Sequence, residues 1–115
     1  MSEMFVYEPD LLFSSKFESI SRQTGISFRI FSDFSELANA VQEKRPEALI
    51  INLDSVQLES LSTLTSSGYP VMGYYSHVNA ATGKIATEMG VKYVLTRGAF
   101  LANVQSLMRR LMTSS

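Results

Sequence analysis

The chain has no cysteine and no tryptophan, a single histidine, three prolines and six glycines in 115 residues. Without cysteine there is no disulfide framework, no thiolate metal cluster and no sulfur nucleophile. Long apolar runs are missing too. A run such as Ala48-Leu49-Ile50-Ile51, which none exceeds, falls far short of the ~20 residues a membrane-spanning helix needs, so no membrane reading survives. The N-terminal stretch from Met1 to Glu8 lacks a basic segment followed by an apolar one, so no secretory signal is read and a cytoplasmic protein is expected. Charge of one sign is also lacking. Ten Lys and Arg against eleven Asp and Glu leave a formal net charge of −1, which gives no electrostatic footprint for a phosphate backbone and excludes nucleic acid as a primary partner. What is present is 45% hydrophobic and 18% charged, too apolar for a disordered chain. Residues 1–115 read as one domain, long enough for a single core that buries roughly 65% of the unfolded surface.

Short apolar runs alternate with longer segments of helical period. Met4 to Tyr7 predicts a strand, stopped by Glu8-Pro9-Asp10. Phe13, Phe17 and Ile20 then stripe a helix from about Asp10 to Gln23, ended by Gly25. Ile26 to Phe31 reads as a second strand, and Asp33 with Glu36 as a capping box for a helix whose buried face is Phe34, Leu37 and Val41. Ala48 to Leu53 is apolar but for Asn52, the pattern of a strand covered on both faces. A leucine-bearing helix over 55–65 follows, then a fourth strand over 71–75. A helix capped by Asn79 places Ala81, Ile85 and Met89 on one side; Gly83 weakens it by about 1 kcal/mol relative to Ala. A fifth strand spans 91–96, and Phe100, Val104, Leu107 and Leu111 stripe a terminal helix.

Five strand-helix pairs with short connections predict an all-parallel sheet with helices on both faces. The economical arrangement is the flavodoxin-like α/β fold, doubly wound in three layers, with strand order 2-1-3-4-5. Ile50, Val71, Tyr74 and Val94 are expected in or near its core. Ligands of such sheets sit beyond the carboxyl ends of the strands. Glu8 and Asp10 follow strand 1 there, Asn52 and Asp54 strand 3, Ser76 and His77 strand 4, and Thr96 and Arg97 strand 5. Clustered carboxylates suit a hard divalent cation, and a hydroxyl with a guanidinium opposite them suits a phosphoryl group.

With these residues in this order, the whole chain resembles the receiver domains of response regulators, the chemotaxis-regulator-like (CheY-like) fold of two-component signalling. The resemblance implies an acidic pair after strand 1, where Glu8 matches the first acid and Pro9 stands in place of the second. It puts the phosphoacceptor aspartate at Asn52 in Pro46-Glu47-Ala48-Leu49-Ile50-Ile51-Asn52. The switch hydroxyl falls at Tyr75, with Ser76 beside it, and the conserved lysine of the family at Arg97 in Arg97-Gly98-Ala99-Phe100. A carboxamide cannot form an acyl phosphate, and a proline supplies no magnesium ligand. The segment from Asn52 to Pro70, 70 − 52 = 18 positions, is also short for a receiver.

The expectation is a non-catalytic pseudo-receiver, a signalling or protein-interaction module with no cofactor. The alternatives are a phosphorylatable regulator that uses Asp54 as a displaced acceptor and a small flavodoxin-like enzyme or nucleotide binder. The last is disfavoured because no glycine-rich phosphate loop follows a strand. Several residues carry two readings each. Asp54 is a displaced acceptor or the cap of the following helix, and Asp10 a residual cation ligand or the cap of the first. A weak magnesium site, if one persists, would use Glu8, Asp10 and Asp54. His77 is a pH-sensitive or simply a packing residue. Arg97 binds an anion or pairs with Glu8 or Asp10. The partner is expected to be a protein of unknown identity, with a possible homodimer through the fourth helix, fifth strand and fifth helix, where Glu88, Lys92, Arg109 and Arg110 give an outward surface of mixed sign.

Overall fold

The computed structural model describes residues 3–76 and 80–113. Five strands, β1 (Glu3–Tyr7), β2 (Ser27–Phe31), β3 (Ala48–Asn52), β4 (Val71–Tyr75) and β5 (Tyr93–Thr96), form one all-parallel sheet in the order β2-β1-β3-β4-β5. That is the order predicted. The central β3 is buried at every position, as the apolar run Ala48–Ile51 requires, and the polar Asn52 at its end is buried with it. The helices are α1 (Leu11–Ser14), α2 (Lys16–Thr24), α3 (Phe34–Glu43), α4 (Leu61–Thr65), α5 (Ala80–Glu88), α6 (Arg97–Ala102) and α7 (Val104–Thr113).

Alternation along the strands divides the core in two. On one face Met4, Val6, Ile50, Met72 and Tyr74 pack against Phe13, Phe17 and Ile20 of α1 and α2 and against Phe100, Leu107 and Leu111 of α6 and α7. On the other, Phe5, Tyr7, Leu49, Ile51 and Val71 meet Leu37 and Val41 of α3, Leu61 and Leu64 of α4, and Ala86 of α5. Val94 is half-buried against this second cluster.

Several expected elements differ in detail. The first and last helices are each divided, at Ser15 and Asn103. There Ser15 Oγ donates to Leu12 O at 2.7 Å and Asn103 Nδ2 to Ala99 O at 2.9 Å, side chains that compete for helical carbonyls. The helix expected over 55–65 is only a 3-10 turn (Leu58–Ser60) leading into α4. Its first residues turn instead, with Ser55 N donating to Asn52 O. Asp33 caps α3 by accepting from Ser35 N at 2.8 Å, and the return bond that completes a capping box, from Asp33 N to the Glu36 carboxylate, is not among the hydrogen bonds of the described residues. In α5 the residues placed together on one side part company: Ala81 and Ile85 are exposed while Met89 packs against the second cluster, and Thr82, Gly83 and Ala86 are buried. Gly83 explains the rotation, because a Cβ there would lie 3.0 Å from the Tyr75 ring, which rests on the helix backbone. Asn79, the expected cap, lies outside the described residues, as does His77.

Candidate functional site at the carboxyl edge of the sheet

Side chains two apart on a strand share a face. Glu8 follows Val6, Asn52 follows Ile50 and Tyr74 follows Met72, so all three project from the α1–α7 face at the carboxyl end of the sheet. Asn52 and Tyr74 are register partners across β3 and β4. Here they close on one another. Glu8, 1% exposed, accepts from Asn52 Nδ2 on both oxygens, at 3.0 Å and 2.8 Å, from Tyr74 Oη at 2.6 Å, and from Asp10 N at 3.0 Å. Every contact is donated to it, and three donor groups make four hydrogen bonds to its two oxygens. Its own N–H donates to Phe31 O at 3.0 Å, so Glu8 joins the end of β1 to β2, β3, β4 and the start of α1.

The amide of Asn52 is held one way round. Its nitrogen faces Glu8 while its oxygen accepts from Asp54 N at 2.9 Å. The flipped amide would set oxygen against carboxylate and NH2 against N–H. Burial, reinforced by the hydrogen bond to Glu8 and that group's charge, pushes the Tyr74 phenol far above its ordinary value of 10.0. Tyr74 is therefore a fixed donor.

Around this network the other candidates take separate roles. Asp10 caps α1, accepting from Leu12 N at 2.9 Å. Asp54 does not cap a helix: the 3-10 turn has Gln57 at its cap position, and Asp54 Oδ2 instead accepts from Ser76 N at 2.7 Å, tying the loop after β3 to the end of β4. Arg97 forms no ion pair with Glu8 or Asp10 among the described residues. Its guanidinium lies over the Phe13 ring at 4.4 Å and near that of Tyr74 at 5.9 Å, a cation–π placement that covers the network from above. Its Nε is shielded from solvent and has no hydrogen-bond partner. Ser76, Thr96, Arg97 and Gly98 line a small open cleft beside it, where Thr96 caps α6 by accepting from Ala99 N at 3.2 Å.

The hydroxyl that reaches the site is not the one expected. Tyr75 turns to the opposite face, half-buried in the second cluster above Gly83. Tyr74, expected only in the core, is the residue that sequence reasoning missed. The signal was parity: a residue paired with Asn52 and in step with Met72 must share their face. At the other end of the molecule Glu88, Lys92, Arg109 and Arg110 are all exposed. Arg109 lines a groove with Gln23 between α2 and α7, which leaves Glu88, Lys92 and Arg110 for the expected partner surface.

No family model matches the sequence, and no curated protein matches it. Solved structures do match in fold. The receiver domain of a sensor histidine kinase from Pseudomonas aeruginosa, solved with a magnesium ion coordinated in its active-site cleft, aligns with a TM-score of 0.84 at 12% identity over 98% of either chain. The receiver domain of a DNA-binding response regulator from Colwellia psychrerythraea gives 0.84 at 9% identity, over 99% of this chain and 100% of that one. The non-phosphorylated HemR receiver domain from Leptospira biflexa gives 0.80 at 12% identity, over 100% and 97%. The three-layer sheet thus defines a flavodoxin-like protein, and more narrowly one with the receiver-domain fold of response regulators. No helix among the described residues is long and apolar enough to cross a membrane.

Proposed function

We propose that this chain is a signalling module that keeps the receiver fold but works by protein contact, without phosphoryl transfer or turnover. The observation that supports this reading is Asn52. It stands where the resemblance implies the phosphoacceptor, and its amide is committed to Glu8. Forming an acyl phosphate requires a carboxylate oxygen to attack phosphorus while acetate or another leaving group departs, and a carboxamide has no such nucleophile. Magnesium, which the fold family implies, does not fit the residues present. Both Glu8 oxygens are filled by donors, the Asn52 oxygen is turned away, Pro9 offers no ligand, and no cluster of three acidic or histidine side chains occurs among the described residues.

The partner surface in this reading is the face of α5, β5 and α7 that carries Glu88, Lys92 and Arg110. A second reading, a displaced acceptor at Asp54, draws on that residue's exposure at the mouth of the site. Incubation with acetyl phosphate and magnesium, followed by intact mass spectrometry, tests both. The expected result is an unmodified chain. An added phosphoryl group that disappears in Asp54→Asn but persists in Asp10→Asn overturns the first reading in favour of the second.

A further inference from the structure

We infer that the Glu8–Asn52–Tyr74 network does mechanically what a divalent cation would do at this edge: it cross-links the carboxyl ends of β1, β3 and β4, so the domain holds its shape without metal. The inference deepens the proposed function and rests on it, since it concerns the same residues. Three strands of a parallel sheet end side by side here, and past their ends the backbone ties are single bonds, Glu8 N to Phe31 O at 3.0 Å and Leu53 N to Tyr74 O at 2.8 Å. A buried carboxylate at that point needs countercharge or donors, because an unpaired one is costly to bury. The chain supplies donors. The amide bridges both oxygens of Glu8 from β3, the phenol reaches one of them from β4, and the Asp10 N–H closes the loop into α1.

Each member fits this brace. Aspartate at position 52 would put two buried carboxylates about 3 Å apart, a repulsion that only a cation or a proton relieves. Asparagine removes the charge, keeps the shape and adds the two donors. Tyr74 extends the same logic, since its phenol is long enough to reach Glu8 from the neighbouring strand and stays protonated. Asn52 oxygen, accepting from Asp54 N, passes the connection on to Asp54 and from there to Ser76 N. The brace therefore runs without interruption from β2, through Glu8, to the loop that leaves β4.

Thermal melts of the full chain, with EDTA or with millimolar magnesium chloride, test the inference on wild type, Asn52→Asp and Tyr74→Phe. Wild type is expected to melt at the same temperature in both solutions. Tyr74→Phe, which deletes one donor and keeps the ring, is expected to melt several degrees lower, equally in both. Asn52→Asp is expected to lose more than ~10 °C in EDTA and to regain a large part of it with magnesium, because metal and amide are interchangeable as cross-links. A wild-type melt raised by magnesium overturns the inference, as does an Asn52→Asp loss that magnesium leaves unchanged, or a Tyr74→Phe variant as stable as wild type. If Asn52→Asp does not fold in EDTA, the other two chains still decide. A magnesium-stabilised wild type that takes no phosphoryl group sinks the brace alone, whereas a phosphorylated chain indifferent to magnesium sinks the proposed function alone.

Discussion

Gly73 shows how one missing methyl group shapes a central strand. It pairs with Ile51 and Val94 in the middle of the sheet, and a Cβ built on it would stand 2.7 Å from Leu53 Cγ and Cδ1. Leu53 leaves β3 just there, 2% exposed, and folds its side chain over the glycine. Gly73→Ala is expected to destabilise by about 1–3 kcal/mol through overpacking, despite the better strand propensity of alanine. Leu53→Ala alone should cost about 2–5 kcal/mol through the cavity it leaves. The two changes together should cost clearly less than their sum, because each relieves the defect of the other. Urea melts of the four chains measure the cycle, and strict additivity would show that the contact carries no strain. None of this was legible in the sequence, where Gly73 reads only as an unfavourable strand residue; a close approach between two elements has no local signature.

The caps show which parts of an element are legible and which are not. Asp10, Asp33 and Thr96 each stand just before a helix and accept from its first-turn N–H groups, as their residue types suggest. Asp54 has the same appearance but is drawn away by Ser76 N, a partner 22 positions along the chain. The buried stripes of α1, α2, α6 and α7 followed from periodicity, and the strand order from the most economical winding of five strand-helix pairs. The face of α5 did not, since it depends on where the Tyr75 ring settles. At Asp33 the capping bonds carry a pH dependence. Hydrogen bonds from Ser35, side chain first and backbone second, hold its carboxyl below the ordinary 3.8. A folded value below the unfolded one means that the stabilisation is complete above the unfolded value and is lost as pH falls through the folded one. Asp33→Ala should therefore lower the melting temperature by a few degrees near neutral pH, and the gap to wild type should close in acid. Asp33→Asn keeps the cap without the charge, so it should show a smaller loss with no such closing. A gap that stays constant down through the carboxylate range would mean that the charge at Asp33 contributes nothing.

At the scale of the whole molecule the sheet leaves two unlike edges, β2 and β5. All four residues of β5 are half-buried, flanked by α5, which carries the exposed Ile85, and by α6. Glu88 ends α5, Lys92 begins the approach to β5, and Lys92 N is anchored on Val71 O at 2.8 Å, so these two opposite charges sit on a fixed stretch of backbone. A net charge of −1 means that two copies meet with little long-range repulsion. An edge strand with half-covered apolar side chains, bordered by one acid and nearby bases, is the kind of surface a two-fold contact can use, Glu88 of one copy facing Lys92 of the other. On the proposed surface, sedimentation equilibrium should detect a dimer that strengthens as concentration rises and weakens with salt. Lys92→Glu should weaken it several-fold by placing like charges opposite each other. Combining Lys92→Glu with Glu88→Lys exchanges the charges on both copies and should restore association. Because the double exchange restores net charge as well as the pairing, the rescue is read against a control that adds charge elsewhere. As that control, Gln23→Lys, beside Arg109 on the α2 side, returns one of the two charge units that Lys92→Glu removes and should leave the Lys92→Glu defect in place. A chain that remains monomeric at all concentrations, or a dimer unmoved by these exchanges, would assign the partner contact to another face, with the groove between α2 and α7 next in line.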